Sequence, residues 1–169
     1  MAGSDFMFNI ARGRAAYYYY AVENSLVVTA AGTPAFTSTA NAAFLVVLLE
    51  TTSIEADSTL SDYDELNALL AGSSNEQTNQ ARKVLTDTDL AAVPAPDDTN
   101  SRYELDIPDQ TYTALGGNAI GKVLVCFDPD TTTGTDTTVV PITAHAVSIT
   151  PDGNNVVLQV AATGFYRSA

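Results

Sequence analysis

One cysteine and one histidine are the residues of this 169-residue chain best suited to nucleophilic chemistry. Cys126 lies in the apolar run GKVLVCFD, and His145 lies in a second strand-type run between two alanines. Across neighbouring strands, the imidazole could in principle activate the thiol. The sequence supplies no electropositive surroundings that would lower the thiol pKa, so an inert buried thiol and a structural histidine are predicted. We therefore expect no catalytic residue and no enzymatic activity.

Three aspartates around a glycine form the cluster that most resembles a metal site. Calcium binds several carboxylate and carbonyl oxygens that converge in a tight loop, as Asp128, Asp130 and Asp136 could. Counting from Asp128, however, the sixth position is Thr133 instead of the glycine of helix–loop–helix sites, and the twelfth is Val139 instead of glutamate. Aspartates that bond their own turn are the alternative interpretation. A calcium site is the only metal prediction, and no other cofactor is expected.

A second acidic group raises the possibility of glycoside hydrolysis. Asp97 and Asp98, with Asp106 and Asp109 further along, could supply the paired carboxylates that this reaction uses. The chain has no tryptophan to line a sugar cleft, and the first pair directly follows Pro94 and Pro96. Solvated loop acids are the preferred interpretation. Gly-rich phosphate loops and the common metallohydrolase and serine-hydrolase motifs are missing from the sequence.

The elements that would carry these residues are mainly strands. Arg102–Ile107 alternates between apolar and polar residues, which is typical of a half-buried strand. Residues 121–128 and Ala42–Leu49 are apolar on both faces, which indicates central, buried strands. The sequence therefore predicts a mainly β fold, either an antiparallel β-sandwich or a barrel-like domain with one or two short helices.

Turn signals predict how some of these strands are joined. Pro151–Asn154 contains Asp-Gly, so a hairpin is expected between Ile142–Thr150 and Asn155–Thr163. A second hairpin is expected between Leu26–Thr29 and Phe36–Thr39.

Capping signals predict two short helices. Ser61 followed by Asp64 has capping-box spacing, and the leucines after it recur at helical intervals until Gly72. Thr86 with Asp89 repeats this spacing before a short turn of helix. The polar segment Gly72–Gln80 is predicted to be a surface loop, and the threonine-rich segment Thr131–Thr138 a turn-forming loop.

The net charge and the composition of the chain limit which classes of binding partner are expected. The chain carries 20 acidic and 7 basic residues, a formal net charge of −13, which repels nucleic acids and anionic membranes. Its hydrophobic share of 46% is ordinary for a globular protein. We therefore expect one ordered domain that binds neither nucleic acid nor membrane.

The net charge of the amino-terminal segment is opposite in sign to that of the rest of the chain. Residues 1–20 contain two arginines and one aspartate, together with the run Tyr17–Tyr20. Two interpretations stay open for residues 1–20: a first strand within the sheet, or an arm that docks on a neighbouring subunit. We predict an arm over 1–20 followed by one β-rich domain over 21–169.

A series of short strings resembles a family of small structural proteins of tailed-bacteriophage virions. The resemblance covers about residues 43–169, and its specificity comes from the order of the strings. They are Tyr63-Asp64, Leu69-Leu70-Ala71-Gly72, Asn75-Glu76-Gln77-Thr78, Arg82-Lys83, Pro94-Ala95-Pro96-Asp97-Asp98-Thr99-Asn100, Asp128-Pro129-Asp130-Thr131, Gly134-Thr135-Asp136 and Gly164-Phe165.

The resemblance implies a decoration or cement protein on the capsid exterior. Its partners would be the major capsid protein and further copies of itself, with a homotrimer expected from the bridging role. Aromatic residues and arginine are enriched in interfaces, so the predicted capsid contacts lie in the amino-terminal segment. They are Phe6, Phe8, Arg12, Arg14, Tyr17 and Tyr18.

Two other functions stay open on the sequence. A tail, baseplate or fibre component of the same virion would use the same β-rich fold. A calcium-assisted carbohydrate-binding module would use the aspartate loop, although it would lack tryptophan.

Overall fold

The computed structural model describes residues 4–24, 41–92, 94–132 and 135–168, together with the backbone of 27–28 and 36–37. The described residues form short helices and eleven strands. The helices are α1 (Ala15–Glu23), α2 (Asp57–Leu60) and α3 (Leu66–Ala71), with 3₁₀ turns at Asn9–Ala11 and Asp87–Asp89. The strands are β1 (Phe6–Met7), β2 (Val27–Val28), β3 (Phe36–Thr37), β4 (Ala43–Glu50), β5 (Lys83–Leu85), β6 (Tyr103–Leu105), β7 (Gln110–Tyr112), β8 (Ile120–Asp128), β9 (Val140–Ile149), β10 (Val156–Leu158) and β11 (Tyr166–Ser168). None of the helices in this described part has the length and apolar character needed to cross a membrane.

A five-stranded antiparallel sheet organises the fold. Its strand order is β1-β9-β8-β4-β5, and every pairing is antiparallel. All nine residues of β8 are buried, as are the first seven of β4. Strands that are apolar on both faces need cover on both faces, which explains their central position. The predicted mainly β, antiparallel fold is confirmed.

Alternate residues of the central strands supply two separate cores. The first core contains Phe44 and Phe127, which pack against Tyr18 and Tyr19 of α1 and against the two-stranded sheets β7–β10 and β6–β11. The second core lies on the opposite face. It contains Leu45, Val47, Leu124 and Cys126 from the sheet, and Phe8, Leu60, Leu66 and Leu69 from the covering segments.

The predicted helices are present, but one capping signal was misread. Helix α3 ends at Gly72 as expected, yet it begins after Glu65, while Ser61 ends α2 instead of starting α3. The Ser61 hydroxyl donates to the Ser58 carbonyl, so it is not available as a cap. The capping box between Thr86 and Asp89 is confirmed.

The two predicted hairpins have different outcomes. Strands β2 and β3 pair as expected, while the turn between them lies outside the described residues. The hairpin between β9 and β10 is wrong, because β10 pairs with β7. Gly153 does adopt a positive φ of 83°, but its N–H donates to the Leu115 carbonyl, and Leu115 donates in return to Asn154. This docking directs the chain away from β9.

The segment predicted to be a surface loop after Gly72 is partly interior. Ser74 is 1% exposed and Gln77 is 3% exposed. The Gln77 backbone donates to Leu48, so the segment runs along β4 and is tied to it. The polar composition of this segment wrongly predicted a surface loop, because polar side chains can be buried when they are hydrogen-bonded.

The amino-terminal segment belongs to the same cores. Strand β1 pairs with β9, as the first-strand interpretation expected. The run Tyr17–Tyr20 is helical instead of extended, because the buried residues Ala15, Tyr18, Tyr19 and Val22 recur at the spacing of one helix face.

Candidate functional site

Two of the six predicted capsid contacts are core residues. Phe8 is fully buried and Tyr18 is 3% exposed. Phe8 packs in the second core, and the Tyr18 ring stacks on Phe127 at 4.5 Å between ring centroids. Neither side chain can contact a partner while the domain is folded, which corrects the prediction for both.

The other four predicted contacts reach the surface to different degrees. Arg12 is exposed, whereas Phe6, Arg14 and Tyr17 are half-buried. Tyr20, on the outer side of α1, is 45% exposed and was missed within the tyrosine run.

Cys126 and His145 lie on opposite faces of the central sheet. Cys126 faces the second core, and burial raises the pKa of its thiol well above the ordinary value. His145 is paired with Val123, a residue of the first core, and antiparallel partners point to the same face. The sheet therefore separates the thiol from the imidazole, and this pair cannot act together.

His145 is instead the centre of a row with Asp5 and Thr143. Its Nε2 lies 3.0 Å from the Thr143 hydroxyl, and its Nδ1 lies 3.5 Å from Asp5 Oδ2. The order carboxylate, imidazole, hydroxyl is that of nucleophilic hydrolases. Thr143, however, is 5% exposed and does not line the neighbouring groove, so its hydroxyl is poorly placed to meet a substrate.

The three aspartates of the predicted calcium site do not converge. Asp136 is held by Arg82 at 2.5 Å, while Asp128 and Asp130 bond the backbone of their own turn. Burial raises the pKa of Asp128, which further disfavours a charged ligand there. Across the described part of the chain, no three His, Cys, Asp or Glu residues are grouped as metal ligands.

Three of the acids considered for glycoside hydrolysis accept hydrogen bonds that hold the protein's own segments in place. Asp97 accepts from Asn100 and Arg102, and the Asn100 amide in particular lowers the pKa of Asp97. Asp106 accepts from its neighbour's backbone, and Asp109 accepts from the Val160 N–H.

The described surface has a concave feature that the sequence did not predict. A groove of about 550 Å³ lies over the first-core face of the sheet. Val46, Val123 and Val125 form its floor, residues 157–161 and 163–165 form one wall, and Asp5 and His145 line it with β9. Sequence reasoning missed the groove because it placed residues 155–163 in a strand against β9.

Comparison of the chain with models of known protein families, with curated proteins and with solved structures finds no match.

Proposed function

We propose that the chain is a bacteriophage virion protein that decorates the outside of the head and stabilises the capsid lattice without catalysis. The observation that carries the proposal is the ordered series of strings over residues 43–169. The major capsid protein and further copies of this chain are the proposed partners.

Contacts between the strings support a shared fold as the origin of the resemblance. Three strings meet in one ion-pair network, in which Arg82 binds Glu76 at 2.6 Å and Asp136 at 2.5 Å. Two others meet where the Tyr63 hydroxyl lies over Gly72, so closely that a Cβ there would be 2.6 Å away. Sequence strings that hold loops in place around a sheet are expected to be shared by proteins that share the fold.

The construction of the domain fits a static role. Both faces of the central sheet are covered, and most of the net charge of −13 belongs to exposed or half-buried side chains. Like-charge repulsion would keep decorated particles apart in solution. Binding to the assembled lattice alone stabilises that lattice by mass action.

The test is binding to purified virion parts. The protein is mixed with expanded, mature capsids and, separately, with purified tails, and the copies bound per major capsid protein are counted after sedimentation. We expect a fixed ratio on capsids and a higher capsid melting temperature. Binding to tails alone would favour the tail, baseplate or fibre function, and binding to neither would overturn the proposal.

A further inference from the structure

We propose that the groove beside β9 docks a polypeptide segment that carries arginine or lysine between aliphatic side chains. The inference deepens the proposed function, because it names the surface that a virion partner would use. Only the identity of the partner rests on that function, since the groove's preference follows from its own chemistry.

The groove has the size and lining of a peptide side-chain site. Its volume of about 550 Å³ falls within the range of roughly 300–1,000 Å³ that is usual for ligand sites. The floor is aliphatic, and Val157 on the rim is 52% exposed. Val157 is one of three large hydrophobic residues exposed on the described surface. Apolar side chains of a partner would therefore gain contact area here.

The far wall of the groove is preformed. Gly164 has a φ of 75° and lies so close to the Leu105 carbonyl that a Cβ would collide with it. The Phe165 N–H donates to the same carbonyl at 2.9 Å, and the Val160 N–H donates to Asp109 at 2.8 Å. A fixed wall loses little conformational freedom on binding, which favours affinity.

The charge around the groove selects a cationic partner. No lysine or arginine is among its described lining residues. Asp5 has a side chain that is 66% exposed, and Asp106 and Asp109 are exposed directly beside the lining. Asp5 Oδ1 accepts from the Ala146 N–H, whereas Oδ2 is 3.5 Å from His145 and can accept from a guanidinium.

Docking would use side chains instead of strand addition. The Asp5 carboxylate occupies the Ala146 N–H at the outer edge of β9. The β8–β9 register also shifts between Ile120 and Lys122, which bends the edge just beyond this point. An added strand would find few regular backbone partners there.

The probe is a synthetic pentapeptide, capped at both ends, with arginine between two valines and a glycine at each end. Two control peptides replace arginine with glutamate, or both valines with serine. Backbone and methyl chemical shifts of the full chain are followed during titration. We expect shifts confined to the residues that line the groove, which include Asp5, the floor valines Val46, Val123 and Val125, and the lining residues of β9, β10 and 159–165. Both controls should bind more weakly.

Two matched substitutions test the location. Val157→Lys places a cation on the rim, and Val84→Lys makes the same change on β5, where Val84 is 49% exposed. We expect Val157→Lys to weaken peptide binding by at least about tenfold, with no effect of Val84→Lys. Asp5→Asn should also weaken it, because its amide oxygen can still accept from Ala146 but carries no charge.

The outcomes separate the two proposals. The docking proposal would be overturned if the peptide bound Val157→Lys as tightly as the unmodified protein, if the chemical-shift changes lay outside the groove, or if no binding were seen at several millimolar peptide. If Val157→Lys still binds capsids like the unmodified protein, the groove is not the capsid surface while the decoration function stands. Peptide binding without capsid binding would retain the groove and reject the function.

Discussion

In the buried ion pair between Lys122 and Asp57, replacing the aspartate should destabilise the domain more than replacing the lysine. Lys122 lies in the middle of β8 with a side chain that is 2% exposed. Its Nζ is 3.0 Å from Asp57 Oδ1 and donates to the Ser4 carbonyl at 3.2 Å. Asp57 Oδ2 in turn accepts from the Ser4 N–H and hydroxyl. The pair therefore joins the central strand, α2 and the segment before β1.

The expected magnitude follows from the exposure of the two partners. Breaking a fully buried pair costs about 3–5 kcal/mol, because it leaves an uncompensated charge. Since Asp57 is 30% exposed, water can replace part of its role, and we expect Asp57→Asn to lower the free energy of unfolding by about 2–3 kcal/mol. Lys122→Met keeps the apolar stem and leaves Asp57 accessible to water, so its stability should stay within about 1 kcal/mol of the unmodified protein.

The assay is equilibrium urea unfolding of the two variants at neutral and acidic pH. Burial alone would raise the pKa of Asp57, but hydrogen bonds from Lys122 and Ser4 outweigh it, so the pKa lies below its ordinary value. A lowered carboxyl pKa adds stability that is present above the ordinary pKa of about 3.9 and is lost as the pH falls through the lowered value. The difference between Asp57→Asn and the unmodified protein should therefore shrink in acid. A large loss in Lys122→Met with none in Asp57→Asn would refute this reasoning.

Three further predictions address the core, a glycine and the thiol. Phe8→Ala should lower the free energy of unfolding by about 3–5 kcal/mol, because it removes a fully buried aromatic side chain. Arg12→Ala, at an exposed position, should change it by less than about 0.5 kcal/mol. If Phe8→Ala kept a normal urea transition but lost capsid binding, the amino-terminal segment would be a docking arm. Gly164→Ala should lower the free energy of unfolding, measured in urea, by about 3 kcal/mol, because the residue has a positive φ and the new Cβ would collide with the Leu105 carbonyl. Gly153→Ala also has a positive φ but has open space around it, so it should lower this free energy by about 1 kcal/mol. Equal losses in the two variants would argue against the collision. Cys126 should react with a thiol reagent only in denaturant, and mass spectrometry would detect fast native labelling if its burial were incomplete.

Sequence patterns predicted the elements whose signal is local. Strands β4 and β8 were found because an apolar run on both faces admits few other structures. The Asp-Gly turn at Gly153 was also recognised, but a turn does not determine which strand its neighbour joins. The docking of Gly153 on Leu115 is a contact between distant segments, and only the folded chain reveals it.

The groove and the amino-terminal helix show where such reasoning ends. Four consecutive tyrosines carry no periodicity of their own, so the helical face of α1 depends on the flanking Ala15 and Val22. The groove exists because residues 157–165 turn away from β9 and leave Val123 and Val125 beneath an opening. No residue type marks such a gap in advance.

The Asp5 side chain at the edge of β9 has a consequence for crowding. By bonding the Ala146 N–H, it removes a donor that another chain's strand would need, and the register shift beyond it distorts the next positions. At high local concentration, exposed sheet edges of neighbouring molecules can pair with each other and form fibres. An aspartate in this position disfavours such edge-to-edge pairing, so closely spaced molecules would stay unaggregated.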